Sequence, residues 1–225
     1  MSPDANIAAI FDMDHTLLSD SSARAFFRYL QRTGQLAHYL RRRDLVAMLA
    51  GSLLYRFGLL DASWLLRHAG RASAGHDVEK LWTISRQWFD LDVIPLITAP
   101  ARARLHWHQS QGHIPIICSG SSQFAVGLVA EHLGIEEWIA TEWLVKDGRI
   151  TGELRHPLTY GIGKVHWVEA WAQKRNVDLR ASYFYTDHIS DRPLLEKVAH
   201  PIAVNPDRRL ARIALQNRWE ILHWA

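Results

Sequence analysis

Ile7-Ala8-Ala9-Ile10-Phe11-Asp12-Met13-Asp14-His15-Thr16 is the stretch on which the fold turns. Its first five residues form an unbroken apolar run, the mark of a buried strand, and two carboxylates follow at once, separated by one methionine. Open α/β sheets bind their ligands beyond the carboxyl ends of their strands. Asp12 and Asp14 stand at such an end.

The rest of the chain divides in two. From about Ser19 to Leu96 there is no alternating strand pattern, and helices are expected over Ser22 to Gln31, Leu36 to Leu54, Ala62 to Ala69 and Asp77 to Phe89, punctuated by Gly34, Gly58 and Gly75. After about Ala99, helix and strand alternate, as in a parallel sheet covered by helices. The expected order is a helix carrying Arg102 to Gln109, the strand Ile114 to Cys118, and a helix from Ser122 or Gln123 to Leu133 stopped by Gly134. A hairpin follows, with Trp138 to Val145 and Arg149 to Leu154 flanking Lys146-Asp147-Gly148. Then come a helix from Lys164 to Lys174, the strand Tyr183 to Thr186, a short helix from Pro193, the strand Ile202 to Val204, a helix from Asp207 to Gln216 and a last strand near Trp219 to Leu222. The expected class is α/β: a Rossmann-like parallel-sheet core of residues 1–18 and 97–225, with a helical cap of residues 19–96 inserted after the first strand, over the C-terminal edge of the sheet.

With 225 residues, 48% of them hydrophobic, the chain can build one core and a smaller attached module. Its single cysteine, Cys118, lies in an apolar run, which excludes a disulfide framework and a multi-cysteine zinc site and fits a cytoplasmic location. No basic region leads into an apolar signal segment, so no cleavage is expected. The window Leu45 to Leu66 is cut by Gly51, Ser52, Arg56, Gly58, Asp61 and Ser63, well short of the ~20 apolar residues of a membrane span, and no stable membrane insertion is expected. The formal charge is only +3, with arginine concentrated at Arg24, Arg28, Arg41 to Arg43, Arg56, Arg67 and Arg71. Such a run is ordinarily a solvated helix face, and no nucleic-acid partner is expected.

Four stretches hold the chemistry: Phe11 to Thr16, Cys118-Ser119-Gly120-Ser121-Ser122, Gly163-Lys164, and Asp187-His188-Ile189-Ser190-Asp191. Phosphoryl transfer to a side chain needs a nucleophile, neutralisation of the phosphoryl oxygens and a proton donor for the leaving oxygen. Asp12 is the candidate nucleophile and Asp14 the candidate acid and base, with Thr16 expected to hydrogen-bond Asp14 and fix its rotamer. Ser119 and Gly120, before a helix N-terminus, form a candidate phosphate cradle. Lys164 supplies a fixed positive charge. Asp187 and Asp191 add hard oxygen ligands, a set that favours Mg²⁺. Ser121 and Ser122 read as helix-capping residues.

In these four motifs and their order the chain resembles the haloacid dehalogenase superfamily. Within it, the resemblance is to the phosphoserine-phosphatase-like subfamily (IB), whose cap lies between the first and second motifs (type C1). The closing stretch, Asp191-Arg192-Pro193-Leu194-Leu195 and Ala203-Val204-Asn205-Pro206-Asp207, shares the likeness. The resemblance implies that Asp12 is phosphorylated and Asp14 is the acid and base. It also implies Mg²⁺ held by Asp12, the Asp14 backbone carbonyl and Asp187, with Asp191 acting behind these ligands or on the metal through water, and Ser119 and Lys164 on the phosphate. The implied activity is hydrolysis of a small phosphate ester resembling phosphoserine or histidinol phosphate. His15 and His188 depart from the small residues many members carry there, and both are expected to narrow the pocket.

Two other functions share features of this chain. A phosphotransferase, with an acceptor alcohol in place of water, would use every one of these residues. A non-catalytic module binding anions through the arginine-rich segment would need none of the acidic ones. The thirteen histidines lack the one-face spacing of a paired-histidine metal site; His106, His108 and His113 are expected at the surface. The ten tryptophans are expected mainly as packing residues, one or two of them in the cap lining a pocket.

Overall fold

Ala8–Phe11 forms strand β1, and all four of its side chains are buried. They must be, because the sheet that β1 enters is covered on both faces. The computed structural model describes residues 6–39, 42–56 and 62–224. After β1 come α1 (Ser22–Arg32), α2 (Leu36–Tyr39), α3 (Arg42–Arg56), α4 (Ala62–Ala72) and α5 (Val78–Trp88). They are followed by α6 (Ala99–Ser110), β2 (Ile114–Ser122), α7 (Gln123–Leu133), β3 (Glu137–Thr141), β4 (Trp143–Lys146) and β5 (Arg149–Leu154). The chain ends with α8 (Ile162–Lys174), β6 (Tyr183–Thr186), α9 (Arg192–Leu195), β7 (His200–Val204), α10 (Arg208–Asn217) and β8 (Glu220–Leu222).

Six of these strands make one parallel sheet in the order β3-β2-β1-β6-β7-β8. The chain builds outward from β1 through β2 to β3, then crosses back to β6 and builds the other way. The carboxyl ends of β1, β2 and β6 therefore meet where the winding reverses, which is where such sheets open a crevice. Along β1 the side chains alternate between two cores. Ala9 and Phe11 join Ile117, Tyr185 and Val204 beneath α6 and α7, while Ala8 and Ile10 join Ile116, Phe184 and Ala203 beneath α8, α9 and α10.

The chain leaves this sheet and returns to it side by side. Leu18 pairs antiparallel with Ile97, the Ser19 amide donates to the Leu96 carbonyl at 2.8 Å, and the Thr98 amide donates to the Leu17 carbonyl at 3.2 Å. Helices α1 to α5 lie between these crossings. Among the described residues no helix is long and apolar enough to cross a membrane.

Three expectations change. The helix expected over Leu36 to Leu54 is two helices, α2 and α3, and residues 40–41, including Arg41, lie outside the described residues, as does Gly58. The strand expected over Trp138 to Val145 is also two. Glu137–Thr141 completes the parallel sheet, and Trp143–Lys146 starts a separate antiparallel hairpin with β5. The hairpin turn is at Asp147-Gly148, with φ of 50° and 72°, the two positive values of a type I′ turn. This hairpin packs on α4, and Asp77 bridges to Arg149. Finally, His108 is fully buried instead of exposed. Its ring nitrogens meet His113 and the Tyr185 hydroxyl, each at 2.8 Å.

Candidate active site

The turn after β1 sends two neighbouring carboxylates to different partners. Asp12 is still tied to the sheet, its amide donating to the Tyr185 carbonyl at 2.8 Å. Asp14 is extended at ψ 135°, and His15 then takes the left-handed conformation, φ 56°, which non-glycine residues adopt only when the surroundings enforce it. The Leu18 amide closes the turn on the Met13 carbonyl at 2.9 Å.

Asp12 meets a buried cation. Lys164 Nζ lies 3.0 Å from Asp12 Oδ1 and 2.6 Å from Asp191 Oδ2, and Asp191 is held in turn by the Thr186 hydroxyl, which donates at 2.7 Å. Burial lifts the Asp12 carboxyl to about 6 while Lys164 pulls it the other way. Burial alone would push the lysine down, but the charges of Asp12 and Asp191 prevail and hold it above its ordinary value. The ammonium is thus fixed and charged. Its position depends on Gly163, where an added Cβ would stand 1.8 Å from the Leu158 carbonyl oxygen. The glycine lets the start of α8 press against that backbone.

Asp14 meets hydroxyls instead. It accepts from the Ser22 amide at 2.9 Å, the Ser22 hydroxyl at 3.1 Å and the Ser121 hydroxyl at 2.9 Å, and the two serine oxygens are 3.0 Å apart. Burial raises its carboxyl above the ordinary value, and these hydrogen bonds oppose the rise. The partner expected for Asp14, Thr16, is not its partner. Once the chain has reversed at His15, Thr16 is fully buried and its hydroxyl has no hydrogen-bond partner. Ser121, expected as a capping residue, holds Asp14, and the cap of α7 is Ser122 alone, accepting from the Ala125 amide at 3.5 Å. Ser22 carries no local signal, because it reaches Asp14 and Ser121 only through tertiary structure.

Ser119 is buried, and its hydroxyl accepts from the Ser121 amide at 3.3 Å. Gly120 is fixed by the Thr141 hydroxyl, which donates to its carbonyl at 2.7 Å. At the end of β6, Asp187 is lifted to about 8 by burial and by the negative charges of Asp12 and Asp191, with Lys164 opposing. Such crowded acids favour a bound cation. Among the described residues no three acidic, histidine or cysteine side chains gather as a ready metal cage. The expected set of Asp12, Asp187 and the Asp14 carbonyl needs only two side chains, and it fits Mg²⁺, which keeps several of its waters.

Asp12, Asp14, Ser119, Gly120, Lys164 and Asp187 open into one cavity of about 530 Å³, lined also by His15 and His188 and by residues of α1, α3, α4 and α5. Trp88 and Trp143 are among its walls, the second from the hairpin and not from the expected cap. His188 also faces Asp207 at 3.6 Å.

Comparisons with known proteins agree in kind. The family described as haloacid dehalogenase-like hydrolase matches residues 9–196. A histidinol-phosphatase of Neisseria meningitidis is 29% identical, the match covering 96% of this chain and 98% of that protein. A phosphoserine phosphatase of Mycobacterium tuberculosis is 29% identical over 97% of this chain and 71% of its own length. The crystal structure of a protein of unknown function from Bordetella pertussis superposes with a TM-score of 0.85 at 30% identity, covering 97% of this chain and 98% of the other.

Proposed function

The chain belongs to the haloacid dehalogenase-like hydrolases, and from that premise we propose that it is a Mg²⁺-dependent phosphatase, cleaving a phosphomonoester through an aspartyl-phosphate. The observation that carries this reading is the division of labour between Asp12 and Asp14. One is paired with a buried cation and the other is held by hydroxyls and an amide.

In the proposed reaction Asp12 attacks phosphorus, since Lys164 favours its ionised form. Lys164, Ser119 and Gly120 receive the phosphoryl oxygens. Asp14, with a raised affinity for its proton, donates it to the leaving alcohol oxygen and then takes one from the water that hydrolyses the acyl-phosphate. Asp191 and Thr186 position Lys164. Asp12, Asp187 and the Asp14 carbonyl would hold Mg²⁺, which when bound neutralises phosphoryl charge. Residues 19–96 would act as the cap, moving about the paired crossings at Leu18 and Ile97, with the β4–β5 hairpin attached to them. Phosphoserine and histidinol phosphate, named by the two relatives, are the first substrates to try.

The test is acid-quenched turnover with a ³²P-labelled ester. Label should be trapped on Asp12, Asp12→Asn should release no phosphate, and chelation of divalent ions should stop turnover until Mg²⁺ is restored. Full activity in Asp12→Asn would exclude the covalent route.

A further inference from the structure

The walls of the cavity differ in kind from its floor. At the floor stand Asp12, Asp14, Ser119, Lys164 and Asp187; above them Phe26, Phe27, Leu30, Met48, Leu65 and Leu66 line the side formed by α1, α3 and α4. Phe124 of α7 and Trp143 of the hairpin line it too. At about 530 Å³ the cavity is in the range that holds drug-sized ligands and not only a phosphate. Among the described lining residues the only acids are Asp12, Asp14, Asp187 and Asp191, all at the floor. An amino group on the alcohol would thus find no carboxylate of its own in the described walls. Arg24 is the one arginine among the described lining residues, and its guanidinium is engaged by Asp20 at 2.9 Å.

Resting on the phosphatase reading, we propose that the physiological ester carries an uncharged, largely apolar alcohol, alkyl or aryl, larger than serine or ethanolamine. The floor would take the phosphate and the aromatic and aliphatic walls the alcohol. Burying apolar surface is favourable, whereas moving an unpaired ammonium or carboxylate into such walls is costly. Specificity would then follow from the cap: the same floor, roofed by apolar residues, selects against charged amino-alcohol esters.

The test compares the full-length protein on ethyl, butyl, hexyl and octyl phosphate, whose leaving oxygens are chemically alike, on 2-phenylethyl phosphate, and on phosphoserine, phosphoethanolamine and histidinol phosphate. Each buried methylene should raise kcat/KM about fourfold until the cavity is filled, and phosphoserine should fall below butyl phosphate. The alkyl and phenylethyl arms distinguish a chain-like from an aromatic alcohol. Phe27→Gln should reduce the octyl-to-ethyl ratio of kcat/KM about tenfold, and Leu66→Gln provides the same reading if that variant does not fold. A flat chain-length series, or phosphoserine or histidinol phosphate ahead of octyl phosphate, would overturn the proposal. Binding of ethyl and octyl phosphonate, which cannot be hydrolysed, separates the two readings. Tighter octyl binding with no phosphate released from any ester would defeat the phosphatase reading while sustaining the apolar site, and equal binding would defeat the apolar site alone.

Discussion

Gly163→Ala should disable the protein through a single methyl group. Real Cβ atoms do not approach other heavy atoms closer than 3.0 Å, and this one would begin 1.8 Å from the Leu158 carbonyl oxygen, so α8 or the Leu158 backbone must move by at least 1.2 Å (3.0 − 1.8). The next residue is Lys164. If α8 yields, the full 1.2 Å opens its 3.0 Å contact with Asp12 toward 4.2 Å, outside ion-pair range. Misplacement on the order of 1 Å costs about 10²-fold in rate, and forcing a carbon into filled space costs about 1–3 kcal/mol. For a chain of this length that lowers Tm by about 2–12 °C. The assay is kcat/KM on the best ester found, beside a thermal melt. Gly127→Ala is the control: in α7 its Cβ would meet the Trp82 and Trp138 rings at the ordinary contact distances of 3.4 and 3.5 Å. A helix-interior alanine there should gain about 0.5–1 kcal/mol with unchanged turnover. Wild-type kcat/KM and Tm in Gly163→Ala would refute the reasoning that close approach at this glycine sets the lysine.

Three further outcomes are expected. Ser22→Ala and Ser121→Ala should each lower kcat, and because the two hydroxyls also touch each other, the double variant should depart from additivity by about 0.5–3 kcal/mol; strictly additive losses would mean that they do not act together on Asp14. Burial, then the nearby His113, Arg104 and His200, push His108 down to about 3. Between that value and about 6.5 the unfolded chain binds a proton that the folded protein refuses, so stability should fall with pH by up to about 1.4 kcal/mol per unit. Urea melts from pH 7 to 5 should show a shallower slope in His108→Gln, and identical slopes would exclude the buried neutral imidazole. Burial pushes the Cys118 thiol up to about 12, so a thiol reagent at pH 8 should label it only in urea; rapid native labelling would contradict the packing around β2.

The centre of the parallel sheet was legible because its strands read as apolar or aromatic runs that give way to an acidic or small polar residue: Phe11 before Asp12, Cys118 before Ser119, Tyr185 before Thr186 and Asp187. The motif residues were legible for the same reason, since strand ends are local features. What was hidden was tertiary. Nothing around Trp138 to Val145 distinguishes a strand of one sheet from the start of another, because the break falls at Glu142, between Thr141 and Trp143, with no glycine or proline to mark it. Thr16 was expected beside Asp14 on spacing alone, but the left-handed turn at His15 redirects it. Ser22 and Ser121 are 99 positions apart, and no periodicity reports a contact of that range. His108 illustrates the converse: its helix α6 shows a weakly amphipathic pattern, so a polar residue on the buried side was unreadable until His113 and Tyr185 were placed against it.

The central place of β1 also sets a timetable. A ribosome makes this strand before its partners, and the neighbours that complete its hydrogen bonding begin only at Ile114 and Tyr183. At about 5–20 residues per second, the first of them arrives roughly 5–20 s later. Throughout that interval Ala8 to Phe11 is an unpaired apolar segment, exposed to wrong partners, and the helices of residues 19–96 emerge with no sheet yet to stand on. Asp12 waits longer still, because Lys164 and Asp191 are made after the first of these neighbours. A nascent chain stalled before Asp191 would contain β1 to β6 and α1 to α8, yet lack the carboxylate that fixes the lysine, so activity should appear only after Asp191 has been made.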